Sequence, residues 1–155
     1  MAKVELKLKG LQALQQRLLQ QKQALEARLE MELLAIAEDA VTYSKEHKGY
    51  KDRTGNLKNT ISFALFKDGQ PVSLHIGINK APKGERVVTE NFVQSRIDEL
   101  AREKGIASTK GYSLIIVAPM EYARAVEDKG YNVLYLTNFY LQDKLKELMA
   151  DLFTY

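Results

Sequence analysis

The side chains most often used in catalysis are few and widely separated in this sequence of 155 residues. Cysteine is absent, which excludes thiol nucleophiles, disulfides and cysteine-ligated zinc or iron–sulfur sites. The two histidines, His47 and His75, have no second histidine at metal-ligand spacing. No serine stands in the Gly-x-Ser-x-Gly motif that exposes a nucleophile between a strand and a helix. The sequence therefore predicts a protein that is not an enzyme and that binds no metal or cofactor.

Two further segments superficially resemble reactive sites. Residues 49–56 are rich in glycine and charge, but they lack the Gly-Lys-Ser/Thr ending of a phosphate-binding loop and do not follow a strand. The adjacent carboxylates at 38–39 and 98–99 lie on predicted helix faces, where charges usually serve solubility. Neither segment favours phosphoryl transfer or acid–base catalysis.

One local charge imbalance stands out at the end of the first helix and in the loop that follows it. Its basic residues are Lys45, Lys48, Lys51, Arg53 and Lys58, and only Glu46 and Asp52 oppose them. The excess of three positive charges equals the net charge of the whole chain, +3. Two interpretations remain open: a solvated cationic loop, or a surface that contacts phosphate backbones or a partner.

The elements that must position these residues begin with a strand and a long helix. Residues 3–9 alternate between apolar and charged side chains, which predicts a half-buried strand. From Leu11 the apolar spacing changes to threes and fours, which predicts an amphipathic helix ending near Lys48. Its first half is rich in glutamine and suits either a solvated face or a coiled-coil flank. This half is expected to project or to find a partner.

A hairpin and a helical insertion follow the loop at 49–56. Alternating Ile61, Phe63 and Leu65 predict a strand, Asp68-Gly69 the turn, and residues 72–78 the returning strand. Residues 79–111 are interpreted as an insertion that carries a helix over 88–101.

The last third predicts a strand at 112–118, a short helix at 120–128, an extended piece at 131–136 and a final helix capped by Thr137 or Asn138. The order indicates a single α+β domain over residues 1–155, with a mainly antiparallel sheet and flanking helices.

Two segments carry a family resemblance. Residues 53–61, with the sequence RTGNLKNTI, resemble a threonine-glycine-x-leucine-basic-x-serine/threonine-isoleucine stretch found in tail-completion, or head–tail joining, proteins of tailed phages and prophages. Residues 122–130, YARAVEDKG, are similar to the tyrosine-alanine, valine-glutamate and glycine pattern of that family. The matching positions are Thr54, Gly55, Leu57, Ile61, Tyr122, Ala123, Val126, Glu127 and Gly130.

The resemblance implies a structural subunit of a phage neck or tail, acting by docking in a ring that is expected to be a hexamer. It implies contact with copies of itself and with head-connector and tail proteins, and contact with DNA in the channel as a further expectation. Its expected location is the virion, and the host cytoplasm during assembly. The loops at 49–56 and 79–86 are expected to contact neighbours, and residues 131–135 to extend the sheet between subunits. A nucleic-acid-binding module that uses the basic residues of 45–58 is the alternative.

Overall fold

A computed structural model of the chain describes Ala2 and residues 9–53, 55–78 and 88–154. The strand predicted at 3–9 falls on residues outside these ranges except for Lys9, and Thr54 and the loop predicted at 79–86 also lie outside them. The contacts divide the chain into two compact units, one reaching to Glu32 and the other starting at Leu33. A single domain over residues 1–155 stays a prediction.

Helix α1 spans Leu11–Glu46 and ends two residues before the predicted position. In the first unit its apolar stripe is uncovered: Leu11, Leu14, Leu18 and Leu25 are each between 45% and 55% exposed. A lysine–glutamate pair one turn apart, Lys22 and Glu26, lies on its surface at 4.0 Å. Such an exposed pair contributes only about 0.3 to 0.5 kcal/mol to stability. No described helix is both long and apolar enough to cross a membrane.

The second unit contains a three-stranded antiparallel sheet formed by β1 (Ser62–Lys67), β2 (Gln70–His75) and β3 (Tyr112–Val117), in the order β2-β1-β3. Asp68 and Gly69 form the two-residue turn of the predicted hairpin, with φ of 50° and 80°. Positive φ at both turn residues matches the right-handed twist of the flanking strands. The hairpin and its turn are confirmed.

Burial differs between the two strands of the hairpin. Strand β1 is buried on both faces along almost its whole length, whereas β2 is an edge strand with Val72 at 37% and Leu74 at 42% exposure. The returning strand also stops at His75, before Ile76 and Ile78. Strand β1 is buried on both faces because helices cover both of its sides.

Two apolar clusters cover the two faces of β1. One joins Ala64 and Phe66 of β1 to apolar residues of α3 (Glu90–Glu103) and α4 (Ala123–Asp128). The other joins Phe63 and the preceding Ile61 to Ala37 and Val41, on the part of α1 that belongs to this unit. Alternate residues of a strand point to opposite faces, so neighbouring β1 residues enter different clusters.

The remaining elements are the single turn α2 (Asn56–Asn59), a 3₁₀-helix over Ile106–Ser108 and the C-terminal helix α5 (Tyr135–Phe153). The α+β class, with a long N-terminal helix, a helix in the insertion and a C-terminal helix, is confirmed. The extended piece predicted at 131–136 is wrong, because residues 131–134 form no strand and α5 already begins at Tyr135. Thr137 is therefore not its cap, and lies buried within the helix.

Candidate functional site

The two segments that carry the family resemblance meet at one cleft of about 880 Å³ in the second unit. Its apolar lining comes from four side chains on separate elements, Leu57, Phe92, Met120 and Val126. Three tyrosines, Tyr50, Tyr122 and Tyr131, add aromatic surface. The fold thus unites segments that stand about 70 positions apart in the sequence.

The loop side of the cleft is shaped by a tight turn before α2. The Asp52 carboxylate accepts a hydrogen bond from the Gly55 amide at 2.8 Å. Gly55 has a φ of 79°, a conformation that glycine adopts without steric cost. The turn leads into α2, which buries Leu57 in the core, while Ile61 just beyond it enters the second cluster. Asp52 thus closes the corner between the loop and α2; Thr54, a family-motif position, lies outside the described residues.

The opposite side is built by α4 and the chain that follows it. The Glu127 carboxylate accepts hydrogen bonds from the backbone amides of Val133 at 3.1 Å, Leu134 at 2.9 Å and Tyr135 at 2.6 Å. The amides at a helix start lack partners within the helix, and a negative charge there also interacts favourably with the helix dipole. Glu127 therefore acts as a remote cap of α5. Ala123, the first residue of α4, is buried, and Gly130, with a φ of 85°, follows the end of the helix.

Asn132 joins this region to the end of α1. Its side-chain amide donates to the His47 carbonyl at 2.7 Å, and its side-chain oxygen accepts from the Leu136 amide at 2.9 Å. Its carbonyl accepts from the Gly49 amide at 3.0 Å. A Cβ on Gly49 would lie 2.6 Å from the Asn132 nitrogen, so only glycine fits there. These contacts fix where the loop at 49–56 leaves the helix.

Tyr50 lies in the wall of the cleft and packs against the core. Its hydroxyl is buried and has no hydrogen-bond partner among the described residues. Burial, followed by the negative charge of Asp52, raises the pKa of Tyr50 to about 12. The phenol is therefore a neutral hydrogen-bond donor at physiological pH.

The charged residues of the cleft leave a surplus of positive charge. Lys51, Arg53 and Lys129 line it and make no ion pair in the described part of the chain. Both acidic residues in the lining have partners: Asp52 holds the Gly55 amide, and Glu121 pairs with Arg96 outside the cleft at 3.2 Å. The three cations consequently remain available to an anionic group from outside.

The predicted basic patch is divided in the structure. Lys51 and Arg53 line the cleft, whereas Lys48 donates to the Tyr50 carbonyl at 3.1 Å and lies over the Tyr50 ring. Burial, and secondarily the positive charge of Lys58, lower the pKa of Lys45. Of the five predicted residues, Lys51 and Arg53 are in the cleft lining, whereas Lys45, Lys48 and Lys58 are not.

The two histidines have aromatic neighbours. The His47 ring stacks on Tyr43 with centroids 3.9 Å apart, and the His75 ring stacks on Phe63 at 5.4 Å. Within the described ranges, no group of three or more His, Cys, Asp or Glu side chains could hold a metal ion. What the cleft offers chemically is apolar contact, aromatic faces and cations, which suit recognition of an anionic and apolar surface.

Several residues of the cleft escaped prediction from the sequence. Asp52 carries a usable signal, since an aspartate three positions before a glycine often closes a turn through its side chain. Lys129 carries none, because only folding brings it into the same cleft lining as Arg53. Of the predicted family positions, Leu57, Tyr122 and Val126 line the cleft, and Glu127 supports it.

Compared with known proteins, the chain matches no family model, no curated protein and no solved structure.

Proposed function

We propose that this chain is a non-enzymatic structural subunit of a phage or prophage neck or tail, which joins or terminates the tail at the head–tail interface by assembling into a ring, expected to be a hexamer. The observation that carries the proposal is the meeting of both resemblance segments at one cleft.

The chemistry of the cleft supports docking over catalysis. Glu127 is the acid of the second segment, and its carboxylate is occupied by three backbone amides. A carboxylate held in this way stabilises the start of α5 and is not poised to move a proton on a substrate. The exposed apolar residues of α1 and β2 add surfaces of the kind that protein partners cover.

A deletion in the source phage or prophage tests the proposal. Particles made without this chain are expected to appear in electron micrographs as separate heads and tails, and a plasmid copy should restore joined particles. The chain should also be detected by mass spectrometry in purified virions. Joined, infectious particles from the deletion strain would overturn the proposal.

Nucleic-acid binding through the basic residues of 45–58 is the second candidate. The observation that favours it is that burial, and secondarily the positive charge of Lys58, lower the pKa of Lys45, and a bound phosphate would offset the charge repulsion. Fluorescence anisotropy with a labelled DNA duplex should then give an affinity that falls steeply with salt. Replacing Lys45 and Lys58 by glutamine should flatten that slope by about two units. A wild-type protein that does not bind DNA at low salt would exclude this candidate.

A further inference from the structure

The first unit exposes a stripe of leucines along one face of α1. Leu14, Leu18 and Leu25 are between 51% and 55% exposed, and Leu29 is partly exposed. On a helix these four positions point within about 60° of one another. A helix in water is stabilised mainly by the packing of its apolar face, and up to Leu25 every described residue of α1 is exposed. The stripe therefore favours a partner with a matching apolar face.

The spacing of the stripe is the same in both directions along the helix. The steps between its four leucines are four, seven and four residues. Two copies that run antiparallel about the midpoint of the stripe therefore place Leu14 beside Leu29 of the other copy. The same register places Leu18 beside Leu25. Every leucine of the stripe then meets a leucine, which most spacings would not allow in an antiparallel pair.

The charges of α1 favour the antiparallel direction over the parallel one. Residues 11–22 contain two basic residues and no acid, a net charge of +2. Residues 23–32 contain three acids and one arginine, a net charge of −2. Ion pairs within one helix leave these sums unchanged, because both members are counted. An antiparallel pair places each half beside the half of opposite charge, and it also opposes the two helix dipoles.

We propose that residues 11–32 of two copies of this chain pair as antiparallel helices through the leucine stripe. The contact is two-fold and uses the first unit alone. It is small, so its dissociation constant is expected to be on the order of 100 µM, and the copies separate at low concentration. The inference goes beyond the proposed function and does not depend on it, because a two-fold contact joins two chains and does not by itself close a ring.

Disulfide trapping tests the register, because the chain has no cysteine. Leu14→Cys protein is mixed with Leu29→Cys protein that carries a short tag, and the mixture is oxidised mildly at high concentration. Antiparallel pairing brings these two sites together, whereas the two Leu14 positions of a pair lie about 22 Å apart, beyond the reach of a disulfide. The mixed product should therefore exceed either homodimer by about tenfold.

The control mixture contains Gln16→Cys in place of Leu14→Cys. Gln16 is exposed and lies about 200° around the helix from Leu14, away from the stripe. A yield of mixed product equal to that of the control, or no disulfide in either mixture, would overturn the inference. An excess of the two homodimers would do so as well, since it indicates a parallel pair.

The middle of the stripe allows a test by gain of affinity. Gln21 is exposed and lies on the leucine face between Leu18 and Leu25, close to the two-fold axis of the proposed pair. Gln21→Leu should lower the dissociation constant by about tenfold, because it adds apolar contact in both copies. Gln16→Leu, the same substitution on the opposite face, should leave it unchanged. Sedimentation over a range of concentrations measures both, and equal constants for the two variants would contradict the pairing.

Loss of affinity is tested with two leucines of the stripe. Leu18→Glu combined with Leu25→Glu should raise the dissociation constant by more than about tenfold, because both changes remove apolar contact from each copy. The matched control, Gln16→Glu with Gln23→Glu, adds the same charge on the opposite face and should have little effect. Circular dichroism checks that both variants keep their helices. Association that survives the leucine changes would show that another surface joins the copies, and the inference would be wrong.

The helix contact and the proposed function fail in different ways. If deletion of the chain separates heads from tails but the copies do not pair through α1, the proposed function stands and this contact is wrong. If the copies pair and the deletion leaves particles joined, the contact is real and the proposed function is wrong.

Discussion

Helix α1 passes through two environments with one continuous amphipathic sequence. From Leu33 onward its stripe is covered: Leu33 is 7% exposed, Ala37 and Ala40 are fully buried, and Val41 packs on the β1 side of the second unit. Up to Leu25 every described residue of the helix is exposed. Periodicity therefore reports that a face is apolar, but only packing decides whether the fold or a partner covers it. Glu127 is likewise committed to the fold, whereas Lys51, Arg53 and Lys129 at the cleft form no ion pair among the described residues.

The largest expected change in the free energy of unfolding distinguishes a buried leucine of α1 from an exposed one. Leu33→Ala should lower the free energy of unfolding by about 3 kcal/mol, because it leaves a cavity in a packed region. Leu18→Ala, at a position that is 55% exposed, should change it by less than about 0.5 kcal/mol. Urea denaturation followed by circular dichroism measures both values. Similar losses from the two variants would show that the first part of α1 is covered after all.

A second pair of variants compares a carboxylate bound within the fold with an exposed one. Glu127→Ala should destabilise the protein by about 2 kcal/mol, because the amides of 133–135 lose their acceptor at the start of α5. The control Glu38→Ala removes an exposed carboxylate of α1 and should cost less than about 0.5 kcal/mol. Thermal unfolding gives the difference, and hydrogen exchange should become faster at the amides of 133–135 in Glu127→Ala alone. Unchanged exchange there would contradict the capping role.

Local chemistry was sufficient to predict the elements whose signals lie within a few residues. The Asp68-Gly69 turn needs only its own positive φ values, and α3 follows from its apolar period. The start of α5 was missed because its cap comes from Glu127, six to eight positions away, and not from Thr137. A sequence pattern for a helix start looks for a capping residue next to the helix.

The site was predicted only in part, because it too depends on contacts between distant segments. The family positions rest on two short motifs, and the structure brings Leu57 and Val126 to one cleft. The grouping of Lys51 with Lys129, and the separation of Lys45 from both, depend on contacts between distant segments. Net charge along the chain could not show which lysines share a surface.

The smallest expected effect concerns Tyr50, a group that the fold has buried without giving it a partner. Tyr50→Phe should raise the free energy of unfolding by about 1 kcal/mol at neutral pH, because it removes a buried donor that has no acceptor among the described residues. The control Tyr131→Phe, 51% exposed, should have almost no effect.

The alkaline range separates this explanation from a simple gain in packing. Burial raises the pKa of Tyr50 to about 12, so between pH of about 10 and 12 the unfolded chain loses this proton before the folded one does. The folded state then binds more protons, and the stability of the natural protein falls as the pH rises through that window. Tyr50→Phe lacks this contribution, so its advantage should widen above pH of about 10 in urea denaturation curves. A constant advantage from pH 8 upward would show that the phenol ionises equally in both states, and would place Tyr50 with the residues that remain open to a partner.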